Sequence, residues 1–546
     1  MTRSLRAFIH SHGGDRQPLL RLRDHVQQHG LPDPGTVARL ADELKLPPAA
    51  VRGGISYYAD LHESSEALRV CHGTSCALAG AGAVHERLAA QSSCRKVYCL
   101  GYCDRSPAVL RPDDAIVTQC DREPAEAVLG ESSKQAAMPN IHCVASQAIV
   151  TERIGYGDCS SLEAARRAGL YDVLERALAM SPQQVRQEMH TSGQRGRGGA
   201  GFPTAFKWQQ CAETPSDVRY VIANGDEGDP GSFIDRVLME HDPHALLVSM
   251  AICGHAVGAR SGIVFIRSEY PRAIAVVERA IEAARVAGLI GGEGSLAEFD
   301  VTVFPGMGSY VCGEETAMLN SIEGFRGEVS LRPPYPAVQG LYGKPTVVNN
   351  IETLAAVPWI IGHGGEAYAR MGGGGCRGTM ALCLNHGFAR PGIVEVEFGR
   401  SLREVIEKDG GGGRDGTKLE AVLIGGPMGS VAMPEQWDVP VCYEAMAKAG
   451  VQLGHGGLVA VPRGTDWGRL LRHWLTFMAE ESCGKCVPCR VGSGRAAAMF
   501  EAGADPVTLD ALLEVISQSS LCAFGQLMPE PMRTLLKQVR HAEKGA

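Results

Sequence analysis

The sequence lacks the features that mark membrane proteins and nucleic-acid-binding proteins. No stretch reaches the ~18 uninterrupted apolar residues of a membrane helix, and residues 1–10 contain no apolar core long enough for a signal peptide. The 53 Lys and Arg residues are outnumbered by 61 Asp and Glu residues, so the net charge is -8. Proteins that bind nucleic acids or anionic membranes usually carry an excess of positive charge, so we expect no nucleic-acid partner. Without a signal peptide or a membrane helix, we expect a cytoplasmic protein with no direct membrane insertion.

The first part of the chain predicts two small units. Residues 17–29, 34–45 and 47–60 have the apolar spacing of helices. A helix-turn-helix over residues 36–57 would suggest DNA binding, but residues 1–62 contain eight basic and six acidic side chains, which leaves little positive charge for it. Residues 67–118 alternate short strands with one helix, which predicts an α/β unit of thioredoxin size, and the polar residues 131–140 indicate a linker.

The middle of the chain predicts a larger α/β domain. Apolar strands at 218–223 and 261–266 alternate with helices at 243–258 and 271–287. Such alternation favours a largely parallel sheet that is covered on both faces and binds ligands at the carboxyl ends of its strands. Two tetraglycine runs, Gly372–Gly375 and Gly410–Gly413, frame a smaller unit and are interpreted as loops rather than phosphate sites.

Eight of the eighteen cysteines form two sets of four with different spacings. The front set is Cys71, Cys76, Cys99 and Cys103; the rear set is Cys483, Cys486, Cys489 and Cys522. Four thiolates aimed at one point are typical of iron–sulfur clusters, although the two-residue spacings of the rear set would serve zinc equally well. The other ten cysteines, including Cys143, Cys253, Cys376 and Cys442, are expected to be buried small apolar residues, and Cys94 is expected to be a bystander.

Between the two cysteine sets lies a glycine-rich run followed by an acidic one. Gly196, Gly198 and Gly201 match G-x-G-x-x-G, but residues 182–190 before them have helical character, which disfavours an ordinary Rossmann loop because that loop follows a strand. The run 224–231 places three carboxylates after an apolar strand, where either a ligand site or a solvated turn is possible. The segments 306–316 and 345–353 join tight turns to polar groups at expected helix starts.

Together and in this order, these segments resemble the NADH-oxidising flavoprotein subunit of respiratory complex I and its soluble relatives, the diaphorase subunits of NAD-reducing hydrogenases and NAD-dependent formate dehydrogenases. The resemblance covers residues 140–546, and residues 1–130 are similar to the thioredoxin-like [2Fe-2S] subunit that accompanies it, here fused to the front. It implies an α/β multidomain fold: an N-terminal helical module (1–64), a thioredoxin-like [2Fe-2S] domain (65–135), a Rossmann-like FMN/NAD domain (136–330), a small β-grasp-like domain (331–435) and a C-terminal helical [4Fe-4S] domain (436–546).

The resemblance also implies specific binding residues. The FMN site would use Gly196, Gly198, Gly199, Lys207, Asn224, Asp226, Glu227, Gly313, Glu314, Asn349 and Asn350. The NADH contacts would fall on Phe202, Asp229, Glu315, Arg332 and Tyr335. Three residues depart from the complex I pattern: Asp229 stands where a longer Glu is usual, and Arg332 where Lys is common. Gln210 stands where an aromatic residue often holds the adenine, so this departure affects the geometry and strength of adenine stacking. No catalytic triad or general base is expected.

The function implied is hydride exchange between NAD(H) and FMN, with single electrons passed through iron–sulfur clusters to a catalytic partner subunit. The rear cysteines would hold a [4Fe-4S] cluster, and the front cysteines a [2Fe-2S] cluster that serves as a side or storage site, unless the front module is a cluster-free vestige. The fusion favours the beta subunit of a formate dehydrogenase with its alpha subunit as partner; a hydrogenase diaphorase or a complex I-like oxidoreductase is the alternative. A zinc-stapled scaffold without cofactors is a more distant one.

Overall fold

The protein is described from a computed structural model that covers residues 18–123, 125–130, 136–154 and 159–545. Half of the expected linker, residues 131–135, lies outside the described residues. The strands are β1 Leu68–Cys71, β2 Cys94–Val97, β3 Ala108–Leu110, β4 Ile116–Thr118, β5 Ile141–Cys143, β6 Tyr220–Gly225, β7 Ser261–Ile266, β8 Asp300–Pro305, β9 Thr346–Asn350, β10 Thr379–Leu384, β11 Gly392–Glu397, β12 Leu419–Ile424, β13 Ser430–Ala432 and β14 Gly457–Pro462.

The α-helices alternate with these strands or flank them. In the first half of the chain they are Pro18–His29, Pro34–Leu44, Pro48–Tyr57, Ala59–His62, Thr74–Leu78, Ala81–Ala89, Ala125–Leu129, Leu162–Arg167, Leu170–Ala179, Pro182–Ser192, Thr204–Glu213, Ile234–His241, Pro243–Val257 and Pro271–Val286. In the second half they are Glu315–Ile322, Ile351–Ala355, Val357–His363, Gly365–Ala369, Tyr443–Lys448, Trp467–Glu481, Val487–Glu501, Pro506–Ser519, Ala523–Leu527 and Pro529–Gly545.

The front α/β unit has the expected thioredoxin-like form. Its four-stranded sheet has the order β2-β1-β3-β4, in which β1 and β2 are parallel and the other neighbours are antiparallel. Buried Leu68, Val70 and Val109 from the strands pack against Val84 and Leu88 of the helix Ala81–Ala89. The front cysteines lie at and just beyond the ends of this sheet's strands: Cys71 ends β1, Cys76 lies in the short helix Thr74–Leu78, and Cys99 and Cys103 follow β2.

The larger α/β domain contains the predicted parallel sheet, with the order β8-β7-β6-β9. Val221 and Val264 face one core, which includes the helices Pro243–Val257 and Pro271–Val286. Ile222 and Ile263 face the opposite core. Because side chains alternate along a strand, both faces are covered, as the strand pattern predicted.

The N-terminal helices cover the second face of that parallel sheet. Leu20, Val37, Val51 and Leu61 share one buried cluster with strand residues such as Phe265. The apolar spacing that suggested a helix-turn-helix thus serves packing within the chain. The front helical module is an integral part of the α/β domain's core.

A six-stranded mixed sheet collects strands from three parts of the chain, in the order β13-β12-β14-β10-β11-β5. This sheet does not follow the expected domain boundaries: β5 comes from before residue 330, and β14 comes from beyond residue 435. Conversely, β9 lies beyond residue 330 but completes the parallel sheet. Pairing between distant strands, which local composition does not encode, causes these differences.

The C-terminal part is helical, as predicted. The long helix Trp467–Glu481 packs Leu471 and Trp474 into a core shared with Leu513, Met532 and the rear cysteines. Among the helices of the described ranges, none combines the length and the apolar character needed to cross a bilayer. The longest of the described helices, Pro529–Gly545, belongs to this bundle.

A buried carboxylate ties strand β11 to the segment 149–151 and to the start of β10, and we predict that it is a major stability determinant. Glu395 of β11 is fully buried and accepts hydrogen bonds from the backbone N–H groups of Ile149, Val150 and Thr151 and from two threonine hydroxyls. Glu395→Gln places an amide donor against these donors, so we expect a loss of at least about 3 kcal/mol of unfolding free energy, at about 1–3 kcal/mol for each buried group left unpaired.

Chemical denaturation followed by circular dichroism would measure this loss. Glu397→Gln, two residues along the same strand and partly exposed, is the matched control. It is expected to cost about 1 kcal/mol, since its carboxylate accepts from fewer backbone groups. Equal effects at both positions would contradict the role assigned to Glu395.

Candidate functional site

A large cavity opens at the carboxyl ends of the parallel strands. Its volume is about 620 Å³, within the range of cofactor and ligand sites. The residues proposed for FMN and NADH that line it are Gly196, Gly198, Phe202, Lys207, Asn224, Asp226, Asp229, Gly313, Glu314, Glu315, Arg332, Tyr335, Asn349 and Asn350. Gly199 and Glu227 were proposed as well but are not part of the lining. One cavity therefore brings together segments that are far apart in sequence.

The glycine loop follows a helix, as the helical character of residues 182–190 predicted, and it also precedes one. It follows the helix Pro182–Ser192 and precedes Thr204–Glu213. Gly199 and Gly201 have positive φ angles of 104° and 59°, and a Cβ on Gly201 would lie 3.0 Å from the Tyr443 ring. These positions need glycine because an L side chain would be strained and would meet a neighbouring ring. The loop thereby presents backbone directly to the cavity.

A chain of ion pairs organises one wall of the cavity. Lys207 Nζ lies 3.1 Å from one oxygen of Glu315, and Arg332 Nη1 lies 2.8 Å from the other. Burial would raise the pKa of Glu315, but Lys207 and Arg332 together lower it. Glu314 uses one oxygen to cap the helix Glu315–Ile322, accepting from Thr316 N and Ala317 N. The wall therefore presents two cations whose charges are balanced by fixed carboxylates.

The acidic run supplies an unused hydrogen-bond acceptor. The side chain of Asp226 is 3% exposed, and its Oδ1 has no hydrogen-bond partner. Burial raises the pKa of this carboxyl well above its usual range, although Arg267 opposes the shift. Asn224 is fixed by donating to Gly313 O at 2.9 Å, and Trp208 Nε1 donates to Asn349 Oδ1 at 3.0 Å. Oriented amides, free backbone and an unsatisfied acceptor fit a flat heterocycle with ring N–H and carbonyl groups, such as a flavin.

Glu227 faces away from the cavity and belongs to a buried charge network. Its oxygens accept from the backbone N–H groups of Asp235 and Arg236, at 3.1 and 3.0 Å. Asp235 Oδ2 lies 3.2 Å from His455 Nε2, and Asn350 is 3.2 Å from the same nitrogen. Asp235 and His455 both line the cavity and were missed by the sequence analysis. The only local signal for His455 is a polar residue inside the glycine-rich run before β14.

This network predicts a loss of stability at alkaline pH. Burial alone would lower the pKa of His455, but Asp235 and Glu227 raise it to about 10 from an ordinary 6.5. Burial and Asp235 raise the pKa of Glu227 to about 8 from 4.5. Both groups bind their protons more tightly in the folded protein than in the unfolded one. Their contribution to stability is therefore full at a pH below their ordinary pKa values and is lost as the pH rises through their pKa values in the folded protein.

We therefore expect the unfolding free energy to fall by about 2–4 kcal/mol between about pH 7 and pH 10. Melting temperatures recorded across this range would measure the fall. His455→Gln is expected to flatten the pH dependence, whereas His255→Gln, at a half-buried histidine outside the cavity, is expected to preserve it. A slope that survives His455→Gln unchanged would contradict the assignment.

Aromatic residues form the cavity mouth. Phe202, Phe206 and Tyr335 are 44%, 59% and 51% exposed, and the two phenylalanine rings contact each other edge to face at 5.6 Å. Exposed aromatic rings at a pocket entrance suit stacking with a nucleotide base. Gln210 also lines the cavity. The aromatic surface here thus comes from Phe202, Phe206 and Tyr335.

The front cysteines converge on one point beside the cavity. Cys99 Sγ and Cys103 Sγ are 3.6 Å apart, and all four cysteines of the front set are buried. The loop that carries Cys99 is joined to the acidic run by Arg267, which donates to Cys99 O at 2.7 Å and to Glu227 O at 2.9 Å. Cys94 is partly exposed and lies at the start of β2.

The rear cysteines also converge. Cys483, Cys489 and Cys522 belong to one buried cluster, and Cys486 packs against it. Burial raises the pKa of Cys489, and the nearby thiols of Cys486, Cys522 and Cys483 add to that rise. Cys486 is partly exposed and the other three are buried. Two groups of four convergent thiols suit two iron–sulfur clusters, since thiolate is the preferred iron ligand in such sites.

Aromatic rings connect the two cysteine sets with the cavity. Tyr98, next to Cys99, contacts Phe477 with ring centroids 4.8 Å apart. Phe477 contacts Tyr310, which lines the cavity, at 5.1 Å, and Tyr310 contacts Phe524, two residues after Cys522, at 5.7 Å. Packed aromatic rings therefore link the cavity to the residues that adjoin both cysteine sets.

Family comparisons agree with this layout. Residues 189–359 match the Nuo51 FMN-binding domain, residues 469–544 the NADH-ubiquinone oxidoreductase-F iron-sulfur binding region, and residues 5–133 the thioredoxin-like [2Fe-2S] ferredoxin. The chain is 41% identical over 393 residues to NADP-reducing hydrogenase subunit HndC of Solidesulfovibrio fructosivorans, covering 70% of this chain and 80% of that one.

Two further similarities extend over nearly the whole chain. NAD-reducing hydrogenase HoxS subunit alpha of Cupriavidus necator is 32% identical over 576 residues, covering 98% of this chain and 93% of that one. The crystal structure of an NAD+-reducing [NiFe]-hydrogenase in the H2-reduced state matches with a TM-score of 0.82 at 29% identity, covering 97% of this chain and 93% of that chain.

These matches agree with the expected cofactors FMN, [4Fe-4S] and [2Fe-2S]. They leave no basis for a cofactor-free zinc scaffold. The chain belongs to the family of NADH-oxidising electron-transfer subunits that carry FMN and iron–sulfur clusters, with a thioredoxin-like [2Fe-2S] module fused at its front.

Proposed function

We propose that this chain is the diaphorase subunit of an NAD-reducing hydrogenase-type complex, exchanging a hydride between NAD(H) and FMN and passing electrons to a partner that carries the second reaction. The observation that carries the proposal is likeness over nearly the full length, front module included, to a hydrogenase subunit and to a hydrogenase crystal structure. By contrast, an NADH-quinone oxidoreductase chain of Rhizobium meliloti that is 38% identical covers only 72% of this chain.

The cavity residues divide between the two nucleotides. Gly196, Gly198, Asn224, Asp226 and Asn349 would hold FMN, which when bound accepts an electron pair from nicotinamide and releases the electrons singly. Their backbone and amide groups fix the ring's position, and the buried surroundings limit access of water. No residue has to remove a proton from carbon, so no general base is assigned.

The charged wall and the mouth would hold NADH. Lys207 is fixed by Glu315 and supplies positive charge beside the flavin site, while Arg332 is held at the entrance by the same carboxylate. Phe202 and Tyr335 would stack with the nucleotide, and Asp229, whose oxygen accepts from the Tyr310 hydroxyl, would face its polar groups.

The rear cluster is the proposed exit for electrons. Cys486 is partly exposed, and Val487 and Val491, one helical turn apart, are 60% and 56% exposed. An apolar surface beside an accessible metal ligand suits a docked partner subunit. The front cluster, enclosed by the chain's own residues, is proposed as a side or storage centre.

The identity of the partner separates two versions of this proposal. The formate dehydrogenase assignment favoured by the sequence analysis finds no support among the relatives named above, which are hydrogenase or NADH-quinone oxidoreductase subunits. These names support the alternative, a hydrogenase diaphorase or a complex I-like oxidoreductase. A nickel-containing hydrogenase partner is therefore proposed in place of a formate dehydrogenase alpha subunit.

Purification of the native complex tests the proposal. We expect flavin absorbance that bleaches on adding NADH, nickel in the metal analysis, and NAD+ reduction driven by hydrogen. Molybdenum or tungsten with formate-driven NAD+ reduction would replace the hydrogenase partner with a formate dehydrogenase. A colourless chain that reduces no dye with NADH would overturn the diaphorase chemistry itself.

A further inference from the structure

A third group of metal-ligand side chains lies outside the cavity and both cysteine sets. Cys376 follows the first tetraglycine run, and Cys442 and Glu444 lie at the start of the helix Tyr443–Lys448. The two sulfurs are 3.2 Å apart, and Glu444 Oε2 lies 3.6 Å from Cys376 Sγ and 3.5 Å from Cys442 Sγ. Both cysteines are fully buried, whereas the Glu444 side chain is 59% exposed, so the three donor atoms form a compact triangle next to the surface.

The carboxylate of Glu444 is held so that one oxygen faces the sulfurs. Its Oε1 forms an ion pair with Arg195 Nη1, which leaves Oε2 directed at both thiols. Arg195 is itself fixed, because Nε donates to Gly201 O and the guanidinium stacks over the Tyr443 ring at 4.7 Å. Metal-binding carboxylates are commonly oriented in this way by an outer hydrogen-bond partner.

We propose that Cys376, Cys442 and Glu444 bind a zinc ion, a site distinct from the flavin and iron–sulfur centres. Zinc prefers thiolate and carboxylate ligands, and an ion about 2.3 Å from each sulfur and about 2.1 Å from the oxygen can be placed over a triangle with these edges. The fourth position is open to water or to the carbonyl oxygen of Gly374, which lies 2.9 Å from Cys442 Sγ.

The charges of the site balance when the ion is present. Binding releases two thiol protons, giving two thiolates beside the Glu444 carboxylate, and the ion together with Arg195 offsets these three negative charges. Neutrality matters because unpaired charge is costly beside buried groups. Arg195 therefore supplies positive charge beside the ligands while it keeps its ion pair with Glu444.

The position of the site gives the ion a structural role. Tyr443, between the two ligands of the helix, donates its hydroxyl hydrogen to Gly196 O at 2.8 Å, and its ring contacts the glycine loop at Gly201. An ion bound by both the segment after Gly372–Gly375 and this helix would hold them against the outer side of the glycine loop. We expect the ion to stabilise the glycine loop without taking part in electron transfer.

Metal analysis of cluster-loaded full-length chain tests the site. After anaerobic purification with added zinc, we expect one zinc per chain in addition to the cluster iron, and with cobalt(II) in its place a strong sulfur-to-cobalt charge-transfer absorption. Cys376→Ser and Cys442→Ser should each lose both signals. Cys383→Ser, at a fully buried cysteine outside the triangle, is the matched control and should keep both.

Glu444→Gln provides a variant that keeps both thiols and changes an exposed position, so folding is preserved. It is expected to weaken zinc binding by at least the about 10–100-fold that follows loss of an outer hydrogen-bond partner, because Glu444 contacts the ion directly, while iron and flavin content stay unchanged. Zinc absent from the wild-type chain, or retained by both serine variants, would overturn the proposal. A native mass 2 Da below that of the thiol form would also overturn it, because two thiols that have lost two electrons and two protons to peroxide form a disulfide.

Discussion

Cys486→Ser is expected to abolish NADH-driven electron delivery to the partner subunit while leaving NADH-driven reduction of ferricyanide at the flavin in place. Thiolate is the preferred ligand of iron in [4Fe-4S] clusters, and loss of one of four ligands beside the exit surface removes the cluster or its stability. Cys486 is the partly exposed member of the rear set, so serine there disturbs the helical core least.

Iron content and electron paramagnetic resonance of the reduced protein would measure the loss, with iron per chain falling from about six to about two as only the [2Fe-2S] centre remains. Cys94→Ser, at a cysteine of similar exposure that belongs to neither set, is the matched control and should change neither quantity. Full iron content and normal delivery to the partner in Cys486→Ser would show that Cys486 is not a cluster ligand.

Local sequence signals predicted the elements that carry the cavity. Strand β7 was predicted at 261–266 and occupies Ser261–Ile266, because an unbroken apolar run between polar residues fixes both ends. The helices predicted at 243–258 and 271–287 end within one residue of Pro243–Val257 and Pro271–Val286. Prolines at their starts and amphipathic or fully apolar spacing were sufficient there.

Features that depend on distant pairing were not predictable. Strand β14 joins the mixed sheet from beyond the expected boundary at residue 435, and the N-terminal helices share a core with β7. Cys376 and Cys442 are buried as expected, but their contact with each other was not predicted, and Cys143, expected to be buried as well, is exposed. Sixty-six positions separate Cys376 from Cys442, and no spacing rule links residues so far apart.

In the cavity, too, some residues were predicted from the sequence and others were not. Fourteen of the proposed residues line it, because the resemblance fixed their order along the chain. Glu227 departs from its expected contact because three donors from the protein, two backbone amides and the Tyr270 hydroxyl, already bind its carboxylate. His455 was missed because its partners, Asp235 and Asn350, lie more than a hundred residues away.

Arg267 links the front cysteine loop to the acidic run of the cavity, and its loss is expected to damage both. It follows β7, is 4% exposed, and donates to the carbonyl oxygens of Tyr98, Cys99 and Glu227 and to the carboxylate of Glu269. Its Nε lies 3.9 Å from Asp226 Oδ1. A single buried cation thus satisfies groups from three segments.

We expect Arg267→Met to cost about 3–5 kcal/mol of unfolding free energy, because an apolar side chain of similar length leaves buried carboxylates unpaired and three carbonyls without a donor. Flavin and [2Fe-2S] content per chain should fall together, since the same side chain orders both loops. Arg260→Met, at the opposite end of β7, is the matched control: Arg260 is 81% exposed and pairs with Glu298 at the surface, so its loss is expected to change stability by less than about 1 kcal/mol. Denaturation curves and cofactor analysis of the two variants would measure these effects. Equal stability and equal cofactor content in both variants would show that Arg267 does not couple the front cysteine loop to the cavity.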